Sequence, residues 1–340
     1  MQTIILEDFG VFLGKKGERF VVKKDRKSVA EFPASEVERI IISSTGASVS
    51  SAALFLATEN RVPVAFTYSS GRPFAFLTPT SGHGTVLTRR AQYQHATDNR
   101  AMLLVRGFVQ GKMLNQRYLL KTWGKSRLRT NETTSKDLLQ LSENVDEMIS
   151  RLKVIEGELT SKTRQEFMNM EGLAATYYWS GVRLILPEVI GFTGRVTRGA
   201  SDFFNMCLNY GYGLLYSEVW SAVTMAGLDP FAGFLHVDRP GRPSLVLDLI
   251  EEFRQQIVDR TLVTLAVRRS LGGLDDSDPP QLEKITRESI ASSIIERLSD
   301  TINYNGKNTP IKNVIRRQAW NIASVLKGDM TRYEPFVLKW

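Results

Sequence analysis

Cysteine is nearly missing from this chain: Cys207 stands alone among 340 residues. A single thiol excludes an internal disulfide and any paired-cysteine zinc site. Histidine is almost as scarce, with three. No apolar run approaches the roughly 18 residues that a membrane span needs. The opening residues MQTIILEDFG are acidic, without the basic stretch and continuous apolar core of a secretory signal, so the expected compartment is the cytoplasm. No long internal repeat or low-complexity segment is present, and the DDSDPP patch at 275–280 reads as a loop.

What is present is ordinary in amount and uneven in placement. An apolar share of 42% with 24% charged residues is that of a globular protein, and 340 residues suit two domains. The formal charge is +8, yet residues 86–136 alone carry eleven Lys/Arg against Asp98 and Glu132, an excess of nine. The rest of the chain therefore sums to −1. Such a concentration is the electrostatic footprint of a polyanion such as DNA, and Arg89, Arg90, Lys121 and Lys125 are the cations expected to meet it. A solvated helix face would give the same cluster.

Residues 1–84 read as a small β-rich domain. Runs such as TIILE, GVFLG, RFVVK, ERIIISS, VPVAFTY and RPFAFL are β-branched and aromatic and separated by turn residues. Lys15-Lys16-Gly17 suits a hairpin turn. One helix is expected at 50–60, opened by serine. No catalytic group stands out there, and the domain is expected to scaffold or dock. A turn-forming linker at Pro79–Gly84 marks the boundary. Beyond it the pattern is helical, so 85–340 is expected to form a larger all-α catalytic domain and the whole an α+β fold. Residues 98–121 form one helix, with Ala101, Leu104, Val105 and Phe108 inward. Leu138, Leu141, Val145, Met148, Leu152 and Ile155 follow the seam of a helix pair, within the chain or across a dimer.

Residues with chemistry gather in 205–254. His236 lies in a Gly/Pro-rich loop, followed by a helix beginning near Ser244, the candidate N-cap. Asp248 and Glu251 share one side of that helix, and Glu252 points about 100° away. Glu171 opens another helical run, carrying Leu173, Ala174, Tyr177 and Tyr178. The residues alone suit a divalent-metal site, but a backbone-bonded histidine, a solvated acidic face and a helix N-terminal acid favoured by the macrodipole are the more ordinary readings. Arg239 and Arg242 flank Pro240-Gly241, and Arg195 and Arg198 sit in a Gly-rich loop; arginine matches phosphate bidentately. Tyr210 and Tyr212 suit either base stacking or the core. Asn209 is a candidate supporter of a ligand, and the tryptophans read as packing.

The stretches LNYGYGLLYSEVWSAVTMAGLDPFAGFLH and GRPSLVLDLIEEFR, with NMEGLAATYYWSGV upstream, resemble the CRISPR-associated protein 1 family, the integrase of CRISPR adaptation. GFTGRVTRGASDFFN, LTRRAQY, KMLNQ and RRQAWNIASVLKGDMTRYEPF extend the resemblance over nearly the whole chain. It implies Glu171, His236 and Glu251 as ligands of a catalytic metal, with Asp248 as a further ligand or an orienter and Asn209 and Tyr210 beside them. Two carboxylates and an imidazole suit Mg²⁺ or Mn²⁺. The implied activity is a DNA endonuclease and integrase that inserts new spacers into a CRISPR array by phosphodiester transesterification. The family also implies a homodimer, to which the N-terminal domain contributes, working with the small CRISPR-associated protein 2. Where the family commonly has a proline pair, this chain has Gly199-Ala200. The rival expectations are a general metal-dependent nuclease for branched DNA in repair and a non-catalytic DNA-binding architectural protein.

Overall fold

The computed structural model describes residues 2–68, 71–77, 85–197, 199–277 and 280–339, with Thr85 by its backbone alone. The linker expected at Pro79–Gly84 lies outside the described residues. The chain divides into two compact units: Met1–Gly82 with Tyr212–Ser217, and His83–Gly211 with Glu218–Trp340.

The first unit holds strands β1 (Gln2–Leu6), β2 (Phe12–Lys16), β3 (Arg19–Lys24), β4 (Lys27–Pro33), β5 (Val37–Ile42), β6 (Ser48–Val49), β7 (Val64–Thr67) and β8 (Pro73–Leu77). They form two sheets, in the orders β1-β5-β7-β8 and β4-β3-β2-β6. β2 and β3 make the antiparallel hairpin expected at Lys15-Lys16-Gly17, where Gly17 takes the positive φ (+58°) that side chains resist. Helix α1 (Ser51–Glu59) begins where Ser50 Oγ accepts from the Ala53 amide. Ile4, Leu6, Leu13, Phe20, Ile40 and Val64 meet in one buried cluster with Leu56 of α1.

The second unit is built from α2 (Thr85–Gln94), α3 (Asn99–Arg127), α4 (Glu132–Leu152), α5 (Ser161–Ile185), α6 (Phe203–Met225, apart from Tyr212–Ser217), α7 (Ser244–Ile250), α8 (Arg260–Val267), α9 (Lys284–Ser299) and α10 (Ile311–Lys327). It is not wholly α. A two-stranded antiparallel hairpin, β9 (Thr301–Tyr304) and β10 (Lys307–Pro310), turns at Asn305-Gly306, where both residues take positive φ. Asn-Gly is the sequence signal for such a turn. A π-helical stretch, Gln255–Asp259, leads into α8.

α3 buries Ala101, Leu104, Val105 and Phe108 as expected, and runs on to Arg127. α4 packs along α3 and α5, so the seam of Leu138, Val145, Met148 and Leu152 closes within the chain. Small residues permit this closeness. A Cβ on Gly181 of α5 would meet Leu120 Cδ2 at 2.2 Å, and one on Gly124 of α3 would meet Leu139 at 3.1 Å.

The stretch 333–338 is strapped onto the helices. Asn115 of α3 donates to the Glu252 and Phe336 carbonyls at 2.9 and 2.8 Å and accepts from the Leu338 amide at 3.0 Å. The Glu252 carboxyl accepts from Tyr333 Oη at 2.6 Å, the Phe336 amide at 2.7 Å and Gln318 Nε2 at 2.9 Å. Gly111 lies under the strap, and a Cβ there would meet Pro335 Cβ at 2.7 Å. Among the described residues no helix is long and apolar enough to cross a membrane.

Candidate metal centre

Glu171 does not open its helix. Thr160 caps α5 through a reciprocal pair with Thr163, so the helix starts ten residues before the glutamate. The cap fixes where the polar stretch SKTRQEFMNM begins its helix, and Phe167 is its one fully buried side chain. Phe167, Ala174 and Tyr178 form the buried stripe of α5, and Glu171 falls on it at helical spacing. Its carboxylate therefore points into the protein, with 15% of the side chain exposed. A carboxylate so placed requires a counter-charge.

Lys112 of α3 supplies one. Its ammonium pairs with Glu171 Oε1 and stands 2.6 Å from Glu251 Oε2. Glu251 lies just past the end of α7, and Arg254 Nε reaches its other oxygen at 3.4 Å. Burial alone would raise the Glu251 carboxyl. Arg254, Lys112 and His236 overcome it and hold it down to about 2. Burial likewise works against the Lys112 charge, and the fields of Glu171 and Glu251 reverse that, leaving its pKa above the ordinary lysine value. Glu251 Oε2 thus has the Lys112 ammonium as its buried counter-charge.

His236 is positioned by Asp248. The fully buried Asp248 carboxylate accepts from the amides of Phe234 (2.6 Å), Leu235 (3.0 Å) and His236 (2.9 Å). Its Oδ1 also stands 2.7 Å from His236 Nδ1. A carboxylate that accepts only makes Nδ1 the protonated nitrogen and leaves Nε2 for a ligand. Burial pulls the imidazole pKa down, but the Asp248 hydrogen bond and the fields of Asp248, Glu251 and Glu171 raise it above 6.5. With all four acceptor directions taken, Asp248 serves as the orienter of His236. Ser244 is not the N-cap of α7; it is its first residue, and its Oγ donates to the Val237 carbonyl at 3.2 Å. Arg164, two turns before Glu171 on α5, donates to the Phe234 carbonyl at 2.8 Å and ties the helix to the loop. Gln92 of α2 clamps the loop from the other end, donating to the Asp229 and Ala232 carbonyls at 3.0 and 2.7 Å.

Among the described residues no three His, Cys, Asp or Glu side chains close into a coordination shell. An ammonium stands between the two carboxylates. The donor types still fit a hard divalent ion: two carboxylates that already share one cation, an imidazole with Nε2 left over, and no thiolate.

The model of the CRISPR associated protein Cas1 family matches residues 4–293. This chain belongs to that family. CRISPR-associated endonuclease Cas1 1 of Archaeoglobus fulgidus is 35% identical over 346 residues, covering 99% of each chain. Among solved structures, a casposase bound to integration product superposes with a TM-score of 0.85 at 21% identity, covering 98% of this chain and 93% of that one. A chain of a Cas6-RT-Cas1–Cas2 complex gives 0.79 at 19% identity, with 98% of this chain and 36% of that one covered.

The other expected site residues of this Cas1 chain fall in several places. Arg89 and Arg90 on α2 and Lys121 and Lys125 on α3 are exposed. Arg239 is exposed and Arg242 half-buried, bridged to each other in the loop after His236. Arg195 instead donates to Asn205 Oδ1 and Asn209 Oδ1, each at 2.7 Å, so Asn209 is held by that arginine. Arg198 lies outside the described residues. Tyr210 and Tyr212 are buried, at 2% and 8% exposure, which removes them as base platforms. Of the eleven cations in 86–136, Lys112 and Arg117 face inward to carboxylates, Arg117 to Asp146 at 2.5 Å. Arg106 donates to the Ile155 carbonyl.

Lys112, Arg164 and Arg254 went without a role in the sequence. The signal for Lys112 was its place in KMLNQ, a lone cation between residues that helical spacing puts in the core. Nothing local distinguished Arg164 or Arg254 from surface arginines.

Proposed function

We propose that this protein is a divalent-metal-dependent DNA endonuclease and integrase. It inserts short DNA fragments into a CRISPR array by transesterification, the fragment's 3′-hydroxyl attacking a repeat strand. The observation that carries the proposal is the meeting of Glu171 and Glu251, from separate helices, around one cation in a Cas1-family chain. Glu171, Glu251 and His236 would hold Mg²⁺ or Mn²⁺. When bound, such an ion polarises a phosphoryl oxygen and stabilises the charge of an in-line displacement.

The chain's own residues do the rest. Asp248 fixes the His236 tautomer and ring plane. Arg239 and Arg242, in the loop after His236, would meet an approaching phosphate, and the exposed Arg89, Arg90, Lys121 and Lys125 would follow the duplex. The proposal includes a homodimer working with the small CRISPR-associated protein 2, in keeping with the solved complex that carries Cas2 beside Cas1.

The test is a joining assay on a repeat-bearing duplex with a fragment carrying a 3′-hydroxyl, in Mn²⁺. The wild type should yield joined strands, and Glu171→Ala, His236→Ala and Glu251→Ala should each abolish them while keeping the wild-type melting profile. Cleavage without joining, best on branched DNA, would reassign the protein to repair hydrolysis. Full activity in any two of the variants would remove the metal centre.

A further inference from the structure

We infer that Lys112 is the resident counter-cation of the metal centre: its ammonium neutralises Glu171 and Glu251 together and must leave before a divalent ion can take both carboxylates. The inference rests on the reading of Glu171, His236 and Glu251 as metal ligands.

Two carboxylates brought together in a buried site repel one another and lack the solvation of water. Something must keep them apart in charge yet together in space before any metal arrives. Arg254 faces Glu251, at 3.4 Å from its Oε1. Lys112 bridges both, pairing with Glu171 and standing 2.6 Å from Glu251. Its side chain is 14% exposed, as deep as Glu171 at 15%, with Glu251 deeper still at 5%. A metal ion would need the same position, because it too must reach both carboxylates at once.

The choice of lysine suits a cation that has to move. An ammonium is a compact point charge on a flexible four-carbon stem, without the fixed fork with which arginine grips a carboxylate. It can depart by rotating about side-chain bonds while α3, pinned through Asn115 and its long interface with α4, stays in place. The two carboxylates thus stay beside one another while the ammonium gives way to the incoming ion. The corresponding cost is affinity, since any metal must compete with a cation tethered at the site.

Two measurements test this on the full chain. The first is Mn²⁺ binding, read from the electron paramagnetic resonance signal of free Mn²⁺, for the wild type, Lys112→Met and Glu171→Ala. Lys112→Met should bind Mn²⁺ about tenfold tighter or more, because the carboxylates' field then acts on the ion without an opposing charge. Glu171→Ala should lose the site. The second needs no variant: reductive methylation of the wild type, mapped by peptide mass spectrometry. Lys112 should resist the reagent without metal and become reactive when Mg²⁺ is added, while surface lysines such as Lys121 react equally in both. Unchanged or weaker Mn²⁺ affinity in folded Lys112→Met overturns the inference, as does equal Lys112 protection with and without Mg²⁺. If Lys112→Met does not fold, the methylation result decides. Failure of both wild type and Lys112→Met to bind Mn²⁺ would instead overturn the metal centre itself.

Discussion

Asp248→Asn removes one charge and changes almost no volume, so its effect isolates the hydrogen bonds that hold the His236 loop. Asp248 Oδ2 accepts from two amides and Oδ1 from a third amide and His236 Nδ1. An asparagine keeps one acceptor oxygen. Whichever way the amide turns, its NH₂ faces two donors and two charge-assisted bonds are lost in a fully buried site. At about 1.5–3 kcal/mol for each bond to a charged group, the loss is roughly 3–6 kcal/mol. For a unit of this size about 2 °C accompanies each kcal/mol, so the melting transition of the helical unit should fall by roughly 6–12 °C. Removing the partner of a ligating histidine also typically costs about 10–100-fold in metal affinity. The assays are differential scanning calorimetry without metal and Mn²⁺ titration well below the melting temperature. A variant that melts within about 1 °C of the wild type and binds Mn²⁺ as tightly would refute the role given to Asp248, since bonds of this kind cannot be lost silently.

Replacing Arg89, Arg90, Lys121 and Lys125 together by alanine should flatten the slope of log K against log[salt] for duplex DNA by roughly 2–4, leaving Mn²⁺ affinity unchanged; an unaltered slope in salt titrations would take this face off the DNA path. Cys207 is buried and its thiol is pushed up to about 12, so Ellman's reagent should label it only after denaturant is added. Burial pushes the Glu252 carboxyl up to about 7, against the donors Tyr333, Phe336 and Gln318. The folded protein therefore keeps a proton that the unfolded chain releases near the ordinary value of 4.5. That contribution is full below about pH 4.5 and is lost as pH rises to about 7. The melting temperature of the wild type should fall relative to Glu252→Gln across this window; parallel curves from scanning fluorimetry would contradict it.

The parts of this molecule that could be read from its sequence are those fixed by local rules. The Lys15–Gly17 hairpin, the serine cap of α1 and the buried face of α3 depend on residues within a few positions of one another. The family motifs brought forward Glu171, His236 and Glu251, and helical spacing put Asp248 and Glu251 on one side. Partners remote in sequence were not readable. Lys112 and Arg117 were counted as surface charge because only the packing of α3 against α4 and α5 turns them inward. Asn209 looked like a helper for the metal until Arg195 claimed it. Tyr210 sits on α6, a helix apolar on most sides, where periodicity cannot say which face meets solvent. The β9–β10 turn did carry a local signal, Asn305-Gly306, and was outweighed by the long helical patterns on either side.

The strap at 333–338 gives the residues past α10 a mechanical hold on the candidate metal centre. Glu252, which it clasps through Tyr333 and Phe336, is the peptide neighbour of Glu251. Trimming these residues, or pulling on them with a fused protein joined too closely, would loosen the backbone that aims a candidate ligand while leaving every ligand side chain present. Such a preparation should lose metal affinity in the manner of a point mutant, with none of its candidate ligands altered. An affinity tag or a fluorescent partner should therefore hang from a flexible linker beyond Leu338.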